Sequence, residues 1–206
     1  MDKLSVVKIG GNVIEDAKVL ASFLKDFSVL EGLKILVHGG GKKATEMAHQ
    51  LDVPVQMIEG RRITDAANLE IITMLYGGKI NKNIVAQLQA LNCNSIGLSG
   101  ADGNAISAVK RPVDKIDYGF VGDITAVNEK LFQLLLNNGL NPVCCALSHD
   151  EKGQLLNTNA DTIAASIAKA LSKHFEVSLW YCFEKNGVLR SIEDEQSVIE
   201  SIQPSN

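Results

Sequence analysis

Four short stretches place anion-binding or reactive residue types at the ends of apolar runs. In "VVKIGGN" (6–12) a lysine, Lys8, interrupts a β-branched run, and Gly10 and Gly11 follow it. In "ILVHGGGKKATEM" (35–47) an apolar run ends in Gly39, Gly40 and Gly41 before a polar, helix-capable segment. "GRRIT" (60–64) sets Arg61 beside Arg62, and "NTNADTIAASIAKAL" (157–171) gathers Asn157, Asn159 and Asp161 ahead of an amphipathic pattern. An unpaired ammonium buried in a strand costs on the order of several kcal/mol, so Lys8 needs an anion or a way out to water. Glycines at a helix start let backbone N–H groups converge where the helix is partially positive, which suits a phosphate or a carboxylate. Arginine grips a carboxylate through two parallel hydrogen bonds.

Each stretch also has a plainer explanation. A lysine can snorkel at a sheet edge, and a tight strand-to-helix turn needs one glycine. Two arginines can simply be solvated. Thr158 or Asn159 can cap a helix whose first turn holds Asp161, favourably placed for the dipole. Capping does not require Asn157, Asn159 and Asp161 together, and a turn does not require three glycines. Two familiar phosphate motifs fail on register. Leu36 stands where a P-loop would need its first glycine, and Ala44 stands where a GxGxxG fingerprint would need its third.

These residues need a scaffold, and the pattern supplies one. Short apolar runs at 4–9, 33–38, 93–98, 141–147 and 177–182 are nearly continuous rather than alternating, which predicts strands covered on both faces. Helical stripes lie between them: Ile80, Ile84, Leu88 and Leu91 in one, Ile163, Ile167 and Leu171 in another. The alternation predicts an α/β fold, a three-layer αβα sandwich around a mainly parallel sheet. Residues 105–127 and "VQMIEGRRIT" (55–64) predict added β-hairpins that act as lids. The four stretches then meet in a crevice at the carboxyl ends of parallel strands, where open α/β sheets bind ligands. Two N–H nests, a lysine, an arginine and an Asn/Asp cluster suit two anions held face to face. Phosphoryl transfer from ATP to a carboxylate poses that electrostatic problem.

Composition narrows the alternatives. The chain has 206 residues, 46% hydrophobic and 21% charged, with a formal net charge of −4. That length can bury a core without staples, and the scarcity of basic clusters argues against nucleic acid as a partner. Cys93, Cys144, Cys145 and Cys182 form no CxxC pair, so reduced, mostly buried thiols are expected. No N-terminal apolar segment or membrane-length run is present, which predicts a soluble, cytoplasmic protein with no membrane partner.

Taken in order, "VVKIGGN", "ILVHGGGKKATEM", "GRRITDAANLEII", "VGDI" and "QLLNTNADTIAASIAKAL" resemble the amino acid kinase family over nearly the whole chain, and within it the branch acting on N-acetyl-L-glutamate. The resemblance implies a single kinase domain over 1–206. Residues 1–155 would form an acyl-amino-acid-binding and dimerisation lobe, and 156–206 the start of a nucleotide-binding lobe. It implies MgATP-dependent phosphorylation of the side-chain carboxylate of an N-acylglutamate, in arginine biosynthesis. Lys8 would offset charge on the transferring phosphoryl group, with Gly10 and Gly11 beside it, and Asp161 would orient lysines. Gly40, Gly41, Arg62, Asn157 and Asn159 would bind the substrate, with the 55–64 hairpin as its lid. Magnesium would arrive with ATP, Asp161 acting on it only indirectly. No general base is needed, because a carboxylate is already a nucleophile.

The resemblance has two departures. Family members extend further at the C-terminus, where a second catalytic lysine and much of the adenine site lie, so this chain is expected to be a truncated form. "YCFEKNGVL" (181–189) places Glu184 where the family has an aspartate in its nucleotide loop; Glu184 and Gly187 are the expected nucleotide contacts there. The short segment before Lys8 predicts an arginine-insensitive homodimer, built on the "NKNIVAQLQAL" helix unless its apolar stripe is internal core. The alternatives are a non-catalytic acyl-amino-acid-binding module and another small-carboxylate kinase of this fold.

Overall fold

The structure, a computed structural model, describes residues 1–183, 185, 187–191 and 193–202. In chain order the elements are β1 (Lys3–Ile9), α1 (Gly11–Glu15), α2 (Ala17–Val29), β2 (Leu33–His38), α3 (Gly41–Gln50), β3 (Met57–Ile58) and β4 (Arg61–Arg62). There follow α4 (Ala66–Ile72), a π-helical stretch (Thr73–Ile80), α5 (Asn81–Ala90), β5 (Ser95–Leu98), β6 (Ile106–Lys110) and β7 (Gly122–Val127). The last are α6 (Glu129–Asn137), β8 (Asn141–Cys145), β9 (Leu147–His149), β10 (Leu155–Asn157), α7 (Ala160–Leu171) and β11 (Glu176–Cys182).

The five apolar runs form one sheet, in the order β11-β1-β2-β8-β5, and every neighbouring pair is parallel. Successive side chains on a strand point to opposite faces. Val6 and Val7 on β1 are both buried, as are Ile35, Leu36 and Val37 on β2, so both faces are covered. α7 packs on β1, β2 and β11, while α5 packs on β5 and β8, and α6 on β8. The result is the expected three-layer αβα sandwich. The α7 stripe of Ile163, Ile167 and Leu171 is fully buried.

The α5 stripe is internal core at Ile80, Ile84 and Leu88. Leu91 departs from it: it lies at the helix C-cap and is 38% exposed. The 93–98 run also shortens at its start, because Cys93 still belongs to the turn closing α5, its N–H donating to the Leu88 carbonyl. The 141–147 run divides. β8 ends at Cys145, and after Ala146 the chain enters β9 in a second sheet of order β10-β9-β6-β7. β6 and β7 pair antiparallel, as expected for 105–127, with a register shift between Ser107 and Ala108. β3 and β4 form the small 55–64 hairpin. Cys93, Cys144 and Cys145 are buried, Cys182 partly so, and all four are free thiols. No helix among the described residues is long and apolar enough to cross a membrane.

Candidate active site

Lys8 lies near the end of β1, in register with Tyr181 on β11 and Val37 on β2. An interior strand gives its ammonium no sideways exit, so it reaches forward, and its Nζ stands 2.8 Å from Oδ1 of Asp161 in the first turn of α7. The sheet-edge explanation for Lys8 therefore does not hold. Beside it, Gly10 is the N-cap of α1, but its N–H donates to the Cys182 carbonyl at 2.9 Å. The amide of Gly11, which opens α1, has no acceptor within the helix and makes no backbone hydrogen bond among the described residues.

One strand away, β2 delivers the triple glycine to the start of α3. Gly40 is its N-cap, with φ +152°, and a Cβ there would come within 2.4 Å of Ile80 Cδ1. Only glycine fits. Gly39 and Gly41 are not so constrained: a Cβ would meet Ala160 Cβ at 3.7 Å and Tyr76 Oη at 3.9 Å, ordinary contacts. One glycine of the three is thus fixed by packing, and the other two leave room on the cavity side. Behind them, His38 is fully buried, with Nδ1 2.9 Å from the Gly39 carbonyl and Nε2 3.1 Å from Asn81 Nδ2. The amide can only donate, so Nε2 accepts and Nδ1–H donates to Gly39. Burial lowers the His38 pKa to about 4, which keeps the ring neutral.

Gly40 and Gly41 line a cavity of about 410 Å³, together with Arg62, Asn157, Asn159 and Tyr76. All five expected substrate-binding residues therefore share one wall system. Arg62, buried at the end of β4, donates from Nη2 to the Gly41 carbonyl at 3.0 Å and Thr45 Oγ1 at 2.6 Å. Its Nη1 lies 3.3 Å from Asn68 Oδ1, and Asn68 is itself held by Asp65 Oδ1 and the Pro54 carbonyl. Among the described residues no carboxylate pairs with Arg62. Burial lowers its pKa, yet a guanidinium starts so high that it stays charged at neutral pH. A buried cation without an anion, beside the positive end of α3, fits a negatively charged ligand.

Asn157 donates from Nδ2 to Thr64 Oγ1 at 3.0 Å, which ties the end of β10 to the segment after β4. Asn159 caps α7 by accepting from the Thr162 N–H at 3.0 Å, so one residue of the Asn/Asp cluster has a plain helical role as well as a place in the cavity. Glu184 lies outside the described residues. Gly187 packs against Val198, a Cβ at Gly187 coming within 2.8 Å of Val198 Cγ1, and no described contact joins it to Lys8 or the cavity.

Several cavity residues carry no clear signal in the sequence. Tyr76 comes from the π-helical stretch, which breaks the 3.6-residue period that would have flagged it. Burial pushes its hydroxyl up to about 12. Arg111, at the foot of the β6–β7 hairpin, grips Asp123 through Nε at 3.1 Å and Nη2 at 2.5 Å. Lys42 also lines the cavity, and it is tethered across to α1, pairing with Glu15 at 3.1 Å and donating to Asn12 Oδ1. Among the described residues no three His, Cys, Asp or Glu side chains group closely enough to hold a metal ion.

The chain is 54% identical over 202 residues to "Acetylglutamate kinase" of Parabacteroides distasonis, covering 98% of this chain and 79% of that protein. Among solved structures, the smu.665 protein of Streptococcus mutans UA159 superposes with a TM-score of 0.77 at 27% identity, over 90% of this chain and 74% of that one. N-acetylglutamate synthase of Neisseria gonorrhoeae, complexed with coenzyme A and N-acetyl-glutamate, shares the fold at 22% identity and a TM-score of 0.76, over 93% of this chain and 43% of that one. The model of the amino acid kinase family matches residues 3–205, and the chain belongs to that family.

Proposed function

We propose that this chain is an ATP-dependent kinase that phosphorylates the side-chain carboxylate of N-acetyl-L-glutamate, or another N-acylglutamate, as a step of arginine biosynthesis. The observation that carries the reading is the pairing of two positive sites on neighbouring strands. One is the cavity where Arg62 meets the start of α3; the other is Lys8 with Asp161 and the Gly11 amide. In the reaction a side-chain carboxylate oxygen attacks the γ-phosphorus of ATP, a C(O)O–P bond forms, and the P–O bond to ADP breaks. Arg62 and Asn157 hold the α-carboxylate, and the Gly40 and Gly41 amides face the side-chain carboxylate. Lys8 meets the charge on the transferring phosphoryl group. Magnesium arriving with ATP would offset part of the remaining negative charge, and Asp161 would act only indirectly, by holding Lys8. The protein works as a homodimer in the cytoplasm.

One observation favours a second choice of acyl group. Arg111 lines the cavity, and after gripping Asp123 its Nη1 remains unbonded among the described residues. An acyl chain ending in a carboxylate, such as succinyl, would use it where acetyl would not. Purified protein, MgATP and either N-acetyl- or N-succinyl-L-glutamate, trapped with hydroxylamine, tests both points. A hydroxamate with either supports the kinase reading, and the ratio of kcat/KM assigns the acyl group. Binding of an acylglutamate without product would leave a ligand-binding module instead.

A further inference from the structure

We propose that Lys42 is a positioning residue that sets the spacing between the two glycine loops; the proposal rests on the kinase reading above. The loops at 10–12 and 39–41 end adjacent strands and carry the two anion sites that must meet. Among the described residues, the only hydrogen bonds joining segments 10–15 and 39–45 are those of Lys42. Its backbone is in the first turn of α3, directly behind the triple glycine. Its ammonium crosses to α1, where it donates to Asn12 Oδ1 and stands 3.1 Å from Glu15 Oε2.

The Glu15 end of this link is built around Gly11. Glu15 Oε1 is buried without a hydrogen-bond partner, and a Cβ placed on Gly11 would lie 3.4 Å from it. The carboxylate therefore sits under the loop whose amide faces the phosphate, and among the described residues Lys42 is its only cation. The Lys42 side chain is 62% exposed, and such ion pairs add little to folding stability. Its effect falls on geometry. In-line transfer needs the reacting atoms within about 3–3.5 Å, and a misplacement of about 1 Å can cost on the order of a hundredfold in rate. Without Lys42 the Glu15 carboxylate loses its ionic partner and turns to water, and the Gly11 loop shifts with it.

The test compares wild type with Lys42→Met, Lys42→Arg, Glu15→Gln and the Lys42→Met/Glu15→Gln double variant. Lys42→Met is expected to lower kcat by about tenfold or more while both KM values stay within about threefold, and Lys42→Arg to recover most of the loss. The double variant should be no slower than Lys42→Met, because the two residues act as one unit. Amide hydrogen exchange supplies an arm that needs no turnover: peptides covering 10–15 should exchange about tenfold faster in Lys42→Met, with Tm unchanged. Unchanged exchange at 10–15 would overturn the proposal, as would unchanged kcat in an active enzyme, or a fall that appears only as a raised KM. If the wild type makes no hydroxamate, the kinase reading fails by itself, and the exchange result alone decides whether Lys42 joins the loops.

Discussion

The Nζ of Lys8 lies 2.8 Å from Oδ1 of Asp161, joining the end of β1 to the first turn of α7. The lysine side chain is 16% exposed and the aspartate side chain 50% exposed, so the pair stands at the mouth of a crevice and not in the core. A pair this open contributes about 1 kcal/mol or less to stability. In the proposed reaction its value lies in keeping an ammonium aimed at the place where negative charge gathers during transfer.

Lys8→Ala should lower kcat by about 10²–10³-fold, the usual loss when a preorganised charge donor is removed. The affinity for acylglutamate should stay within about twofold, because Lys8 is assigned to the phosphoryl group and not to the ground-state substrate. Steady-state kinetics beside calorimetric binding separates the two. An affinity loss as large as the rate loss would show that Lys8 binds the acceptor.

Substitution of the three consecutive glycines should give unequal results. Gly40→Ala combines a left-handed φ with a Cβ 2.4 Å from Ile80, and should destabilise the fold by about 2 kcal/mol or more. Gly39→Ala, whose Cβ would meet Ala160 at 3.7 Å, should cost less than about 1 kcal/mol. Urea unfolding of the two variants measures the difference. Equal losses would mean that packing against Ile80 and Tyr76 does not set the Gly40 requirement.

Arg62→Lys keeps the charge but loses the planar fork that now spans Gly41, Thr45 and Asn68. Hydrogen bonds to charged groups contribute about 1.5–3 kcal/mol, so KM for the acylglutamate should rise on the order of tenfold to a hundredfold. KM for ATP should change little. A rise confined to the ATP side would place Arg62 on the wrong substrate.

His38 gives a pH signature in stability. Its folded pKa of about 4 lies below the ordinary 6.5, so between these values the unfolded chain binds a proton that the folded chain refuses. Stability is unaffected by this group above about pH 6.5. It falls as pH drops from there to about 4, by about 3 kcal/mol in all. His38→Asn, which keeps a donor near the Gly39 carbonyl, should flatten the dependence of Tm on pH between 7 and 5. An unchanged slope would assign that acid sensitivity to carboxylates instead.

The central sheet was legible because its strands are nearly continuous apolar runs, and besides Lys8 the lysines in them, Lys3 and Lys34, sit at or next to a strand start. The glycine loops, Arg62 and the Asn/Asp cluster stood out by residue type at strand ends. Other features depended on tertiary placement. After Asn141 the run at 141–147 carries no charged or amide residue to mark where β8 gives way to β9 at Ala146. Tyr76 was hidden because a π-helical turn rotates it away from the expected stripe. No local sequence signal marks Arg111 or Lys42, since only the folded chain brings Asp123 and Glu15 to them.

In the proposed reaction the cavity at Arg62 presents a side-chain carboxylate to a phosphoryl group held at Lys8. Phosphorus NMR of the reaction of MgATP with acylglutamate carrying ¹⁸O in its side-chain carboxylate tests it most directly. A new acyl-phosphate resonance is expected, displaced by the isotope because the bridging oxygen comes from the substrate, growing in step with ADP. Saturating acylglutamate bound to the protein with no such resonance would contradict it.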